Sequence, residues 1–185
     1  MKMKIRILNE SGYEEAMLGL SLSYNKPVYK MYSIAKTLYE KDGGHNKFLE
    51  SIVIWIDITA PRYWWAEFDT YRIGVTKQSE STMHTITKRA LTQDDFNTGI
   101  PSFLLEWLNN YISAYEFVNK ELKQKYFQKL KEVLPEGFLQ RRIICTNYKV
   151  LRHIINQRKN HRLEEWQKFV KHMQNNCKYK KFLKW

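Results

Sequence analysis

The chain has 185 residues, 43% of them hydrophobic and 15% aromatic, which suits one folded domain with a real core and excludes a disordered chain. Lys and Arg outnumber Asp and Glu by 31 to 19, a net charge of +12, so anionic partners are expected: nucleotides, nucleic acid or an acidic cofactor. Two cysteines, Cys145 and Cys177, make no disulfide framework and have no metal-ligand spacing to another cysteine.

In chain order, Lys2 to Leu8 alternates basic residues with Met3, Ile5 and Ile7, the pattern of a first strand. Asn9-Glu10-Ser11-Gly12 reads as a turn. Tyr13 to Leu22 reads as a short helix that ends by Asn25-Lys26-Pro27. Met31 to Tyr39 has helical spacing and stops at Lys41-Asp42-Gly43-Gly44, where two glycines open backbone conformations closed to other residues. Ile52 to Thr59 is β-branched, aromatic and almost continuously apolar, which predicts a central strand. Ala60-Pro61 ends it, and Pro61 suits the first turn of a helix over Arg62 to Tyr71 with Trp64, Trp65 and Phe68 buried.

Arg72 to Met83 is polar and reads as a loop. It suits an ordinary surface segment, or a phosphate wrapped by the hydroxyls and amides of Lys77-Gln78-Ser79-Glu80-Ser81-Thr82. Thr92 should cap a short helix with Asp94 and Asp95 in its first turn. Ser102 should cap one long helix to about Val133, with Leu105, Leu108, Ile112, Tyr115, Val118 and Leu122 on its apolar side. Its basic second half is either a solvated face or an anion site near Lys131.

The stretch from Asn147 to Arg158 carries the strongest signal. It follows Leu134-Pro135 and a strand pattern over Arg141 to Thr146. Asn147 falls where that pattern gives way to a helix with Leu151, Ile154 and Ile155 facing the core. Lys149 and His153 share a face four residues apart. A strand end feeding a helix start gathers backbone N–H groups and suits an anionic ligand, although a solvated basic helix face has the same pattern. Leu163 to Met173 makes a last helix. A tail from about residue 174 interleaves Lys178, Lys180, Lys181 and Lys184 with Tyr179, Phe182 and Trp185. That pattern can stack single-stranded nucleic acid, and at a chain end it also suits a docking segment.

No glycine-rich dinucleotide fingerprint, P-loop or zinc helix is present. The histidines His45, His84, His153, His161 and His172 do not sit at metal spacing, so no metal site is expected. No segment is apolar enough to span a membrane and the N-terminus lacks a signal-peptide core, which reads as a cytoplasmic protein. Residue patterns alone stop at a basic α+β domain with candidate anion sites.

Three collinear stretches carry this further. Gly44-His45-Asn46-Lys47-Phe48-Leu49-Glu50 precedes the central strand and Ala60-Pro61. Thr70-Tyr71-Arg72-Ile73-Gly74-Val75 follows about ten residues later. Leu134-Pro135, a strand, Asn147-x-Lys149-x-Leu151-x-His153, Arg158 and Trp166 come last. In this order the chain resembles the flavin-dependent thymidylate synthases, the ThyX family, from about Ile34 to Trp166. The resemblance implies an α+β fold with a central, mostly antiparallel β-sheet, flanking helices including one long helix, and a single domain over residues 1–185.

The family signature Arg-His-Arg-x-x-Ser reads here Thr70-Tyr71-Arg72-Ile73-Gly74-Val75, so only Arg72 is kept. The following loop keeps Ser79 and Ser81 and lacks the family arginine. A family glutamine is Glu67, and two family arginines are Lys131 and Lys149. Lysine keeps the sign of the charge and loses the planar fork that grips phosphate.

By resemblance, FAD is the cofactor, with NADPH and methylene-tetrahydrofolate as co-substrates, and a pyrimidine nucleotide such as dUMP is methylated at C5 in a homotetramer. Carried over residue by residue, His45, Glu50, Arg72, Asn147, Lys149 and His153 would line the flavin side. Glu67, Ser79, Ser81, Lys131 and Arg158 would line the nucleotide side. Arg158 would be the catalytic residue, a buried guanidinium stabilising charge on the pyrimidine. Glu67 suggests dCMP as a variant substrate, because a carboxylate accepts from an exocyclic amine. Two other functions remain open on the sequence: a repurposed relative that binds nucleotide or flavin without forming thymidylate, which the lost signature favours, and a nucleic-acid-binding protein, which rests on charge and the tail alone.

Overall fold

The computed structural model describes residues 1–41 and 43–183. Asp42 in the expected glycine turn, and Lys184 and Trp185 in the expected tail, lie outside the described residues. In chain order the elements are β1 (Lys4–Ser11), α1 (Tyr13–Tyr24), α2 (Val28–Leu38), β2 (Val53–Pro61), α3 (Arg62–Phe68), β3 (Val75–Ser79), α4 (Thr82–Thr85), α5 (Ser102–Tyr115), α6 (Lys120–Val133), β4 (Leu139–Asn147), α7 (Tyr148–Arg158) and α8 (Glu164–Asn176). The strands form one antiparallel sheet in the order β1-β2-β4-β3. The apolar run of β2 therefore has a neighbour on each side, as its composition predicts.

Within the span read as one domain, the described residues pack as two compact units. The first comprises Met1–Lys4, Thr59–Asp69 and Ser79–Arg142. Its core joins Ile86, Leu91, Phe96, Leu108, Ile112, Leu130, Leu134 and Phe138. In the same unit, Arg142 forks onto both carboxylate oxygens of Asp69 at 3.0 Å, and its guanidinium lies 4.5 Å from the centre of the Trp65 ring. The second unit comprises the described residues of Ile5–Ile58, Thr70–Gln78 and Ile143–Trp185. Met17, Met31, Leu49, Ile54, Tyr148, Leu151, Trp166 and Phe169 are fully buried there.

Four expectations change. The expected turn at Asn9 to Ser11 is the end of β1, and Gly12 alone makes the bend, at φ 86°. A Cβ on Gly12 would stand 2.1 Å from the Ser51 carbonyl oxygen. The helix expected over Arg62 to Tyr71 ends at Phe68. The loop expected from Arg72 contains β3, a polar edge strand whose exposed residues show no apolar alternation. The long helix expected to Val133 is a pair, α5 and α6, packed on one another. Asn119 restarts the second helix by accepting from the Leu122 N–H at 3.0 Å. Pro101, with Ser102 as the first helical residue, precedes α5.

Candidate functional site

α7 is built as its sequence dictates. Asn147 adopts an extended conformation as N-cap, and its side-chain oxygen accepts from the Val150 N–H at 3.0 Å. Leu151, Ile154 and Ile155 are buried, while His153 on the opposite face is exposed. One basic residue departs from the solvated-face expectation. Arg152 is only 5% exposed, lies 4.7 Å from the centre of the Tyr39 ring and donates to the Phe182 carbonyl at 3.3 Å.

The outer face of α7 forms one wall of a groove of about 620 Å³, within the range of cofactor clefts. Asn147, Lys149, Val150 and His153 line it from α7, Thr70 to Gly74 from the opposite segment, and Glu50 from its rim. Five of the six residues expected on the flavin side thus share one groove: Glu50, Arg72, Asn147, Lys149 and His153. The sixth, His45, lines a neighbouring groove of about 650 Å³ between α1 and the turn Lys47–Ser51. Glu50 lines both grooves.

Local chemistry fixes the groove walls. Gly74 sits at φ 69°, and a Cβ there would meet Val150 Cγ2 at 2.9 Å and Asn147 Nδ2 at 3.5 Å. Only glycine lets that backbone approach the cap. Thr146 Oγ1 donates to the Gly74 carbonyl at 2.8 Å. The charges are Arg72, Lys149 and, when protonated, His153, set against Glu50, which forms an ion pair with Lys149. The balance is positive and matches an anionic ligand.

Tyr71, a departure from the family signature, lines this groove. Its hydroxyl accepts from Arg158 Nε at 2.8 Å and donates to Gln157 Oε1 at 2.9 Å. Arg158 is half-buried rather than buried as expected. Its guanidinium lies 4.5 Å from the centre of the Trp166 ring and 5.5 Å from that of Tyr71.

The residues expected on the nucleotide side, other than Arg158, belong to the other unit. Glu67 is half-buried in α3, Ser79 ends β3 and Ser81 precedes α4. The β3–α4 connection is anchored to β4: the Glu80 N–H donates to the Arg141 carbonyl at 2.8 Å, and Gln140 Nε2 donates to the Glu80 carbonyl at 2.9 Å. Lys131 reaches in from α6 and donates to Thr82 Oγ1. Burial, and then the neighbouring positive charge of Arg62, pull the Lys131 amine below its ordinary pKa. Lys131, Thr82 and Ser81 are therefore gathered in one place. Arg62 completes this electropositive spot, and the sequence reading gave it no functional role. It donates to the Leu134 carbonyl at 2.8 Å and pairs with Glu136 at 3.1 Å.

Neither thiol is activated. Burial raises Cys145, and burial together with the Glu10 carboxylate pushes Cys177 up to about 12. The tail is docked on its own unit. Tyr179 stacks on Tyr13 at 4.1 Å, Phe182 and Leu183 are buried, and Glu10 accepts from the Lys178 N–H and from Tyr148. Among the described residues, no group of His, Cys, Asp and Glu could hold a metal ion, and no helix is long and apolar enough to cross a membrane.

A family model, Thy1, described as thymidylate synthase complementing protein, matches residues 10–180. The chain belongs to the Thy1 family. Among solved structures, it resembles thymidylate synthase X (ThyX) from Helicobacter pylori with FAD and dUMP, at 14% identity and a TM-score of 0.75, covering 98% of this chain and 96% of that one. A second structure of the Helicobacter pylori flavin-dependent enzyme, complexed with FAD and dUMP, aligns at 13% identity and a TM-score of 0.77, covering 97% of each chain. At such identities the likeness establishes the Thy1 fold. No curated protein matches the sequence.

Proposed function

We propose that this Thy1-family chain is a flavin-dependent enzyme that methylates a pyrimidine deoxynucleotide at C5, converting dUMP to dTMP, with methylene-tetrahydrofolate as carbon donor and NADPH as reductant. The observation that carries the reading is the single groove that gathers Glu50, Arg72, Asn147, Lys149 and His153. The structures it resembles are described with FAD and dUMP.

The character of the groove supports an anionic cofactor. Its charge is positive and its wall begins at a helix N-terminus with backbone N–H groups. In this reading Arg72 and Lys149 hold phosphate, Asn147 fixes the helix start, and His153 and Glu50 orient the polar edges of the cofactor. When bound, FAD supplies the electrons of the reduction. Arg158, packed against the Trp166 ring, binds the pyrimidine and stabilises negative charge that develops on it. Within their own unit, Ser81 and Lys131 offer a hydroxyl and a cation to a phosphate. The assembly is a cytoplasmic homotetramer, which light scattering on the purified protein would check.

The deciding experiment is the visible absorption spectrum of the purified protein before and after addition of FAD and removal of the excess. A retained flavin spectrum, followed by dTMP formation from dUMP, is the expected result. No flavin retained at high FAD would overturn the reading in favour of a repurposed relative that keeps the fold. Glu67 supports a second substrate, dCMP, through an amine that its carboxylate can accept. Calorimetric titration with dUMP and dCMP separates the two, and a clear preference for dUMP removes dCMP. The nucleic-acid reading is the weakest, because Tyr179 and Phe182 of the tail pack inward.

A further inference from the structure

The contact between Tyr71 and Arg158 joins two parts of the proposed active site. Tyr71 lies in the segment Thr70–Gly74 and forms part of the groove wall. The same side chain turns its hydroxyl to Arg158 Nε at 2.8 Å. Arg158 is the last residue of α7, and Gln157 beside it accepts the Tyr71 hydroxyl proton at 2.9 Å. Trp166 of α8 is fully buried and stands edge-on to Tyr71, with ring centres 6.2 Å apart and an interplanar angle of 74°. Arg158 is thus held by two kinds of contact: its guanidinium carbon lies 4.5 Å from the centre of the Trp166 ring, and its Nε donates to the Tyr71 phenol. The bond to the phenol engages Nε and leaves the terminal nitrogens for other partners.

We propose that Tyr71 is a positioning residue that aims Arg158 at the nucleotide, so that the groove wall and the arginine are held as one piece. The proposal rests on the flavin-dependent reading above. It assigns a role to the residue that stands where the resemblance expects histidine, and it treats that replacement as functional. Tyr71→Phe keeps the ring against the groove and against Trp166 and removes the hydroxyl, with its bonds from Arg158 Nε and to Gln157.

The test measures FAD retention by visible absorption, dUMP affinity by calorimetry at saturating FAD, and the split between kcat and KM. For Tyr71→Phe saturated with FAD, dUMP affinity should fall about tenfold, the scale of one lost hydrogen bond to a charged group. A double-mutant cycle with Arg158→Ala identifies the route. In the Arg158→Ala background, Tyr71→Phe should produce no further loss. Tyr71→His, the smaller polar ring that the resemblance expects here, should keep more of the affinity than Arg158→Ala. It also serves as the second variant if Tyr71→Phe fails to fold, and then an affinity as low as that of Arg158→Ala overturns the proposal. Wild-type affinity in a folded, flavin-retaining Tyr71→Phe protein overturns the proposal alone, as does an equal further loss in the Arg158→Ala background. If the wild-type protein binds neither FAD nor dUMP, the flavin-dependent reading fails and the proposal falls with it.

Discussion

The groove beside α7 and the electropositive spot at α4 both gather basic side chains and hydroxyl or amide groups, but they do it differently. In the groove the backbone is locked first. Asn147 caps the helix, Thr146 ties down the Gly74 carbonyl, and Gly74 packs against the cap. The charged side chains then stand at the rim, and Lys149 and Glu50 remain 38% and 53% exposed in their ion pair. At α4 the order is reversed. The backbone is a four-residue helix, while Lys131 already donates to Thr82 and is partly desolvated beside Arg62. A rigid wall with exposed charge receives an anion with little rearrangement. A lysine already bonded to its own chain must exchange one partner for another.

The sharpest way to break this contrast is at Gly74. In Gly74→Ala the new Cβ would meet Val150 Cγ2 at 2.9 Å, in a backbone conformation that side chains rarely adopt. Strain of this kind costs about 1–3 kcal/mol. Denaturant unfolding should register that loss, and FAD retention should disappear in whatever protein still folds. Unchanged flavin binding would show that the groove wall is not the cofactor wall.

A paired comparison of caps comes next. Asn147 and Asn119 play the same part in α7 and α6, each accepting from a backbone N–H at 3.0 Å. Replacing either with alanine should cost about 1 kcal/mol of stability. Only Asn147→Ala should also weaken flavin binding. Equal effects on flavin from both variants would mean that the caps act through stability alone.

The start of α7 was legible because two signals coincide there: a capping side chain at the end of a strand and an apolar 3.6-residue period. The central position of β2 was legible from its continuous apolar run. The break between α5 and α6 was not, because no glycine or proline marks it and apolar residues continue across it. Phe117, inside the break, is 87% exposed. β3 escaped notice because an edge strand with solvent on its side chains needs no apolar alternation. Within the site, five residues that the resemblance names line one groove. The contact of Tyr71 with Arg158 was not legible, since a hydrogen-bonded pair 87 positions apart leaves no periodic trace in the sequence. The tail was left between stacking on nucleic acid and docking, because interleaved lysines and aromatics look alike whether the rings face solvent or the core.

Acid separates the first unit from the groove. Asp95 closes a capping box with Thr92 and is paired with Arg89, and these contacts, Arg89 first, hold its carboxyl below the ordinary value of 3.8. A depressed carboxylate stabilises the fold fully above its unfolded pKa, and that contribution is lost as pH falls through the lower folded value. Asp95→Asn should therefore cost about 1 kcal/mol at neutral pH. The gap between variant and wild type should close below about pH 4. A gap that persists in acid would assign the effect to packing rather than charge.

The smallest effect on stability tests the rim. The ion pair of Lys149 with Glu50 is well exposed, and such pairs contribute about 0–1 kcal/mol. Lys149→Ala should leave the unfolding midpoint almost unmoved. Yet if the groove holds a phosphate-bearing cofactor, removing one of its cations should lower FAD affinity, and the wild-type affinity should fall with added salt more steeply than that of the variant. Glu50→Gln distinguishes the two partners. It removes the carboxylate without removing the cation, so an anion attracted by charge alone should bind more tightly to it. Weaker FAD binding in Glu50→Gln, with stability unchanged, would instead mean that the carboxylate itself contacts the cofactor. Lys149→Ala and Glu50→Gln together decide whether the rim pair is a ligand site or only a solvated salt bridge.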